Sequence, residues 1–289
     1  MTATLAVDSL RIDIAGTSVL RGVSLEVQPG EVRGLVGESG AGKSMLGRAA
    51  LGLLPGNATI TSGHIAFEGR DLLQMREAER RHLLGSRIAL IPQDPMTSLN
   101  PVKRVGAQIA SLLRHHLKLP KRAALQRAAE LLMEVAIREP EQVLSLYPHE
   151  ISGGMRQRVL IAMAFACDPL LVIADEPTTA LDVTVQRQVL QLVERLRRRH
   201  GSAVLFITHD LGVVAKICRS MTVLHAGRVL EDGETVDVLT HPRHAYTRAL
   251  LAATPRADRP AEMLRPVPPA LIEQLWAEAR RLDWQGRLS

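Results

Sequence analysis

One eight-residue segment, Gly-Glu-Ser-Gly-Ala-Gly-Lys-Ser, constrains the fold of this chain more than any other feature. It fits the pattern G-x-x-x-x-G-K-[ST] and lies between an apolar stretch that predicts a buried strand, residues 32–36, and a stretch that predicts a helix, residues 45–54. The glycines let the backbone curl so that successive N–H groups point inward at phosphate oxygens, and the helix N-terminus adds partial positive charge. The predicted nucleotide-binding residues are Gly37, Glu38, Ser39, Gly40, Ala41, Gly42, Lys43 and Ser44.

Two carboxylates follow a second apolar strand. Residues 170–174 deliver Asp175 and Glu176 at the C-terminal end of that strand, which is where ligands bind in open α/β sheets. Lys43 is expected to reach the β- and γ-phosphates, and Ser44 to bind Mg²⁺ together with Asp175. Glu176 is suited to polarise the water that attacks the γ-phosphate. A solvated acidic turn is the alternative, and the phosphate loop upstream argues against it.

The charge balance raises the question of a nucleic-acid partner. The net charge of +6 and the pI of about 9.9 make nucleic acid the first candidate. However, the chain has only two Trp, two Tyr and three Phe, and none is interleaved with a basic run as a base-stacking surface requires. The densest basic cluster, Arg195 with Arg197, Arg198 and Arg199, ends a predicted helix, where cations complement the helix dipole. An anionic membrane surface is an equally consistent neighbour.

Other features bear on the cellular compartment. No apolar run has the length of a membrane span, and the first residues lack a basic region followed by an apolar core, so we expect no export signal. Cys167 and Cys218 lie in apolar stretches without metal-ligand spacing. We therefore expect buried thiols in a reducing cytoplasm.

The order of periodic segments indicates an α/β fold. Strands alternating with helices predict a mainly parallel sheet covered on both faces, and helical periodicity between about Pro95 and Ala166 indicates an insertion. The expected division is a nucleotide-binding core with a β subdomain (1–94 and 167–240), a helical subdomain (95–166) and a C-terminal extension (241–289). The other predicted strands are 5–14, 19–27, 65–67, 88–91, 203–207 and 221–225, and the other predicted helices are 104–117, 122–136, 155–166, 183–199 and 270–282.

A second anion site is predicted far from the first. Ser152, Gly153 and Gly154 open a predicted helix, and small residues at a helix N-terminus favour anions. One nucleotide does not need two such sites in one chain. With Ile151 and Met155 around them, these residues resemble the signature sequence of the ATPase subunits of ABC transporters. The resemblance implies a P-loop NTPase core (an ABC ATPase) with an inserted helical subdomain and an N-terminal antiparallel β subdomain. It also implies that two subunits stack head to tail, so that one signature covers the γ-phosphate bound by the other.

Further motifs follow in the order typical of that family. Gln93 is similar to the Q-loop glutamine that contacts Mg²⁺ and the attacking water, and it lies where the core gives way to the helical insertion. Residues 178–182, ending at Asp182, resemble the D-loop at the dimer interface, and His209 resembles the switch histidine that contacts the γ-phosphate. Taken singly, Gln93 and His209 would more often be ordinary surface or strand-end residues; six motifs in order favour function. The resemblance thus implies Glu176, His209 and Gln93 as catalytic residues and Ser44, Gln93 and Asp175 as metal ligands.

The adenine site departs from the family pattern. Many members stack an aromatic ring on the base shortly before the second strand, whereas this chain has no aromatic residue before Phe67. Ile14 is the predicted substitute. Aromatic stacking on a base is worth roughly 1–3 kcal/mol. Because this contribution is missing, the sequence does not fix the nucleotide affinity or the base selectivity of the site.

Three stretches, 89–101, 147–158 and 241–251, are similar to the ATPases of bacterial oligopeptide, dipeptide and nickel uptake systems. That resemblance implies ATP and Mg²⁺, a second ATPase subunit (a homodimer or a paralogue heterodimer), two transmembrane permeases and, indirectly, a substrate-binding protein. It implies no nucleic-acid partner and a peripheral place at the cytoplasmic face of the bacterial inner membrane. The permease contact is expected on residues about 95–150.

Two other functions compete with transport. A soluble ABC-type ATPase in nucleic-acid or translation processes would typically carry coiled coils, zinc-binding cysteines or two ATPase cassettes, and this sequence shows one phosphate loop and two isolated cysteines. A binding module without hydrolysis is disfavoured by Glu176 and His209. In the C-terminal extension, an apolar helical stripe is expected to pack on its own domain, with a dimer or regulatory contact as the alternative; its residues are Leu271, Ile272, Leu275, Trp276, Ala279 and Leu282.

Overall fold

The computed structural model describes residues 2–179, 182–254 and 265–286. The chain divides into two compact units. The first unit comprises Met1–Met75 and Leu205–Ser289, and the second comprises Arg76–Val204. This division follows the density of contacts, and the functional boundaries expected at residues 94, 166 and 240 stay a prediction.

The described elements alternate between strands and helices. The strands are β1 (Leu5–Ile14), β2 (Thr17–Val27), β3 (Val32–Val36), β4 (Ala58–Phe67), β5 (Arg70–Asp71), β6 (Ile88–Ile91), β7 (Leu171–Asp175), β8 (Ala203–Thr208), β9 (Ser220–His225) and β10 (Arg228–Glu234). The α-helices are α1 (Lys43–Ala50), α2 (Glu77–Leu83), α3 (Pro95–Ser98), α4 (Val105–Leu117), α5 (Lys121–Glu134), α6 (Pro140–Ser145), α7 (Gly153–Phe165), α8 (Val183–His200), α9 (Leu211–Ile217), α10 (Thr235–Thr240), α11 (Ala245–Ala253) and α12 (Pro269–Gly286).

The first unit contains an antiparallel sheet with the strand order β2-β1-β4-β5. Its register places Leu5 opposite Val27 and Ile12 opposite Leu20, and all four side chains are buried. The alternation of apolar and polar residues along β1 and β2 puts one face of the sheet in a core. This sheet is the N-terminal antiparallel β subdomain that the sequence predicts.

The first unit also holds the strand that leads into the phosphate loop. Within this unit the strands lie in the order β10-β9-β3-β8, with β9 parallel to β3 and antiparallel to β10. Every residue of β3 is buried, as expected for a central parallel strand covered on both faces. Since β3 ends at Val36 and α1 begins at Lys43, the predicted order of strand, phosphate loop and helix is confirmed.

The second unit contains the two parallel strands β6 and β7 and most of the helices. Ile88 lies opposite Leu171, and Ile91 lies opposite Ala174. Helices α4 and α5 each bury one apolar stripe with helical spacing; in α4 the buried apolar residues are Val105, Ile109, Ala110 and Leu113. A Cβ on Gly106 would come within 2.7 Å of the Leu144 carbonyl oxygen, so α4 and α6 are in close contact. The predicted helical block is therefore present.

Several boundaries differ from the sequence prediction. Helix α1 ends at Ala50 instead of residue 54, because Gly52 adopts a left-handed φ of +64° and Pro55 follows. Strand β4 begins at Ala58 instead of residue 65. Its first half pairs with β1, but most side chains in that half are exposed, so the sequence there lacks the apolar pattern of a strand. The short elements α2, α3, α6, α9, α10 and α11 and the strands β5 and β10 were not predicted at all.

The C-terminal extension packs on its own unit. In α12, Leu275 and Ala279 of the predicted apolar stripe are buried, and the helix lies against β2. Its expected packing is therefore confirmed. Among the described helices, none is both long and apolar enough to cross a membrane.

Both cysteines are free and buried, as the sequence predicts. Burial, together with the neighbouring Asp168 carboxylate, raises the pKa of the Cys167 thiol to about 11. The thiol is therefore protonated at neutral pH and a poor nucleophile.

Candidate functional site

The phosphate loop is a tight backbone turn in the first unit. Gly40 and Gly42 have φ angles of +82° and +103°, which only glycine adopts without strain. The buried Lys43 directs Nζ back across the loop, where it donates to the carbonyl oxygens of Gly37 at 2.8 Å and Glu38 at 2.9 Å. The N-terminus of α1 therefore opens directly beneath the loop with a lysine ammonium beside it. This arrangement suits a chain of phosphate groups.

Two more predicted residues belong to the first unit. His209 is exposed and directly follows β8, between two residues with fixed side chains. Thr208 Oγ1 accepts from the Asp210 backbone N–H at 3.0 Å, and the Asp210 carboxylate caps α9 by accepting from Gly212 N–H at 2.8 Å. Ile14 is half-buried at the end of β1, opposite Thr17.

In the second unit the structure brings Gln93 and Glu176 together. Gln93 Nε2 donates to Glu176 Oε2 at 3.2 Å, and Thr179 Oγ1 donates to the same oxygen at 2.8 Å. Glu176 directly follows the half-buried Asp175 at the end of β7 and has a φ of +46°. A non-glycine residue in this left-handed region is held there by its surroundings, and such strain clusters at functional sites. Thr179 is a residue whose contact the sequence did not predict.

The predicted signature residues form the N-terminus of α7. Ser152 Oγ accepts from the Met155 backbone N–H at 3.3 Å, which caps the helix. A Cβ added to Gly153 or Gly154 would meet no atom within 4 Å. Ser152 and Gly153 are exposed. This helix end is therefore unobstructed and exposed, and the anion site expected there stays a prediction.

The predicted D-loop is described only in part, since Ala180 and Leu181 lie outside the described residues. Asp182 caps α8 by accepting from the N–H groups of Thr184 and Val185, both at 2.9 Å. Gln157 of α7 is 1% exposed and donates to the Pro177 carbonyl at 2.8 Å. Helix α7 is thus joined to the segment that directly follows Glu176.

The predicted arginine cluster has a structural explanation. Arg197 and Arg198 contact the Glu194 carboxylate at 2.7 Å and 2.5 Å, and Arg195 Nη2 donates to the Glu134 carbonyl at 2.7 Å. These contacts lie in the last turns of α8, where the helix dipole also favours cations. The cluster therefore needs no anionic partner.

Comparisons with known proteins agree with this geometry. Residues 20–179 match the ABC transporter family, and residues 230–275 match the oligopeptide/dipeptide transporter C-terminal region. The probable D,D-dipeptide transport ATP-binding protein DdpD of Escherichia coli K12 is 50% identical over 250 residues, 86% of this chain and 76% of that protein. The dipeptide transport ATP-binding protein DppD of Bacillus subtilis 168 is 43% identical over 280 residues, 94% of this chain and 84% of that protein.

A solved structure shows the same fold. The dimeric structure of MJ0796, described as a bacterial ABC transporter cassette, has a TM-score of 0.69 at 25% identity and covers 80% of this chain and 98% of its own. Family, relatives and fold agree, and the phosphate loop, signature and strand-end carboxylates lie within the matched residues. This chain belongs to the ATP-binding subunits of the ABC transporter family, which couple ATP hydrolysis to transport.

Proposed function

We propose that this chain supplies the ATP hydrolysis that drives uptake of peptides or a related small solute, such as nickel or an opine, through partner permeases. The observation that carries the proposal is the match of residues 230–275 to the C-terminal region of oligopeptide/dipeptide transporters. The relatives named for dipeptide transport support the same substrate class. The chain would act at the cytoplasmic face of the bacterial inner membrane. A soluble ABC-type ATPase in nucleic-acid or translation processes finds no support among these relatives.

The residues of the phosphate loop and of the strand ends bind the nucleotide and activate the attacking water. Lys43 is buried within the loop, with its ammonium beside the backbone of Gly37 and Glu38, and it contacts the β- and γ-phosphates of a nucleotide held there. Glu176 orients and polarises the attacking water, since Gln93 and Thr179 already fix its carboxylate. His209 contacts the γ-phosphate. The adenine base would lie at Ile14, where an aliphatic contact replaces stacking.

The proposed metal ligands fit Mg²⁺ by their chemistry. Mg²⁺ prefers oxygen ligands and is usually held by one or two carboxylates together with substrate phosphates. Ser44, Gln93 and Asp175 offer a hydroxyl, an amide and a carboxylate oxygen. When bound, the ion would neutralise charge on the β- and γ-phosphate oxygens.

The second anion site supports a paired mechanism. One ATP would be held by the phosphate loop of one subunit and by Ser152, Gly153 and Gly154 of its neighbour, with Asp182 near the contact. The open N-terminus of α7 supports this placement. ATP can drive closure of such a pair only through its preference for the closed state. The partner subunit would be a second copy or a paralogue.

The permease contact is proposed on the helical part of the second unit. Met96 and Val102 follow Gln93 in the sequence and are 59% and 79% exposed, so both apolar side chains are accessible to a partner. A cleft between α4, α5 and α6 is lined by apolar residues, by the cations Arg104, Arg114 and Lys121, and by one carboxylate, Glu141. An apolar segment with an acidic end would fit this surface. A substrate-binding protein would act only through the permeases.

Purification from membranes tests this proposal. The tagged chain, extracted in mild detergent, is expected to retain two polytopic permeases identifiable by mass spectrometry. Replacing Met96 and Val102 by Asp should remove the permeases and leave ATP binding unchanged. Val236→Asp is the matched control, because Val236 is 70% exposed but lies in the first unit. Recovery of ribosomal or DNA-binding proteins without permeases would contradict the proposal.

A further inference from the structure

A buried arginine of β2 holds helix α12 against the rest of the first unit. Arg21 Nε and Nη2 donate to the two carboxylate oxygens of Asp283, each at 2.8 Å. The Arg21 guanidinium also lies over the Trp276 ring, with Cζ 5.8 Å from the ring centroid. Arg21 is 8% exposed, so these contacts are shielded from water. A bidentate pair of this kind fixes the plane of the guanidinium and not only its charge.

The same arginine holds the turn between β9 and β10. Its remaining nitrogen, Nη1, donates to the Ala226 carbonyl at 2.7 Å, and its backbone N–H donates to the Gly227 carbonyl at 2.8 Å. A Cβ on Gly227 would come within 2.1 Å of the Val19 carbonyl oxygen, which shows how closely the turn lies on β2. Movement of the Arg21 side chain would therefore shift the β9–β10 turn.

The β9–β10 turn also contacts the phosphate loop. The Gly227 N–H donates to the Ala41 carbonyl at 3.0 Å. A Cβ on Gly37 would come within 2.1 Å of the Leu224 carbonyl oxygen, so the first residue of the loop lies directly on the end of β9. The position of the loop is therefore set by β9 and by the turn that follows it.

A second line of contacts reaches the loop from both C-terminal helices. The His225 ring lies 4.5 Å from the Tyr246 ring of α11 and 5.9 Å from the Trp276 ring of α12, measured between centroids. His225 Nδ1 is 3.9 Å from Glu38 Oε2 in the phosphate loop. Both His225 nitrogens are buried without a hydrogen-bond partner among the described residues, and the buried Tyr246 hydroxyl lies beside Glu38. Buried polar atoms without a partner are costly, and the His225 ring places two of them between the phosphate loop and both C-terminal helices.

We propose that α11 and α12 position the phosphate loop through Arg21 and the β9–β10 turn, and thereby set the affinity of the site for nucleotide. Asp283 and Tyr246 are positioning residues in this arrangement, since they act on the loop through other side chains. The inference rests on nucleotide binding by the phosphate loop. Because coupling between sites is reciprocal, nucleotide bound to the loop must also stabilise α12.

A charge-removing variant tests the first half of this inference. Asp283→Asn keeps the shape of the side chain and removes its charge, and Glu273→Gln removes a charge from an exposed position on the same helix. The dissociation constant of fluorescent mant-ADP with Mg²⁺ should rise about fivefold in Asp283→Asn, as expected for a change within a coupling network, and stay unchanged in Glu273→Gln. A purely structural role would lower the unfolding temperature of Asp283→Asn without changing this constant, and that result would overturn the inference.

Hydrogen exchange, measured in the unaltered chain and in Asp283→Asn, tests the second half of the inference. MgADP is expected to slow amide exchange in peptides covering 269–286, and to do so less in Asp283→Asn. An amide exchange rate in these peptides that is the same with and without MgADP would also overturn the inference. If the unaltered chain bound no nucleotide at all, the ATPase function itself would fail, and the positioning role with it.

Discussion

At the scale of single residues, Glu176 shows how the site stores strain. Its φ of +46° places it where non-glycine residues rarely occur, and its carboxylate accepts from Gln93 and Thr179. Such a conformation costs about 1–3 kcal/mol and persists only where neighbours enforce it. The strain and the two hydrogen bonds aim one carboxylate oxygen in a fixed direction. A water-orienting base requires this kind of fixed placement.

Ile14 gives a prediction at the same scale. Replacing Ile14 by Tyr should strengthen ATP binding by roughly 1–3 kcal/mol, because an aromatic ring can stack on the base. A strand end also accepts an aromatic residue readily. Titration with a fluorescent ATP analogue checks the change, with Ile14→Leu as the control of similar size. Equal affinity of all three proteins would show that the base does not lie at Ile14.

At the scale of elements, the segments with a clear apolar pattern are predictable from the sequence, and those with little pattern are not. The bounds of β1, β3 and β6 follow from apolar patterning and agree with the sequence prediction. Helix α9 has only seven residues, and its stability depends on the Asp210 cap and on packing, so its periodicity is too brief to read. Strand β10 pairs at an edge with mostly half-buried side chains, which leaves little alternation in the sequence.

Residues in short local motifs are predictable from the sequence, whereas contacts between residues far apart in the sequence are not. The sequence predicts roles for Lys43, Asp175 and Ser152 because each lies in a short motif next to an element boundary. The ion pair between Arg21 and Asp283 joins residues 262 positions apart, and no local pattern reports such a contact. Contacts of this kind depend on tertiary packing.

The N-terminus of α7 allows a prediction in which capping and anion binding are separated. Ser152→Ala should cost about 1 kcal/mol of stability through loss of the cap and should lower hydrolysis. Ser152→Asp keeps a capping oxygen but places negative charge toward the neighbour's γ-phosphate, so it should retain stability and lose hydrolysis. Urea unfolding and steady-state phosphate release measure the two effects. Wild-type hydrolysis by Ser152→Asp would remove this helix end from the mechanism.

At the scale of the whole molecule, stability should depend on pH through His225. Burial lowers the pKa of His225 below its ordinary value of 6.5, and the nearby His244 adds to this, although the Glu38 carboxylate opposes it. Below pH 6.5 the unfolded chain therefore binds more protons at this residue than the native chain does. Stability contributed by the neutral ring is present above pH 6.5 and falls as the pH drops through the interval between the native pKa and 6.5.

Urea unfolding at pH 7.5 and pH 5.5 measures this dependence. The unaltered protein should lose more stability between these two values than His225→Phe, in which the buried ring cannot be protonated. His241→Gln, at an exposed position, should behave like the unaltered protein. Identical loss in His225→Phe and the unaltered chain would show that other groups govern the pH dependence.

We expect the phosphate loop of this chain to hold ATP and Glu176 to promote its hydrolysis. The most direct measurement is binding and turnover of radiolabelled ATP by the purified chain with Mg²⁺, compared between the unaltered protein, Lys43→Ala and Glu176→Gln. We expect the unaltered protein to bind and hydrolyse ATP, Lys43→Ala to bind none, and Glu176→Gln to bind ATP with turnover lowered by about 10²–10⁴. Undiminished binding by Lys43→Ala would show that the phosphate loop does not hold ATP, and undiminished turnover by Glu176→Gln would show that Glu176 does not promote hydrolysis.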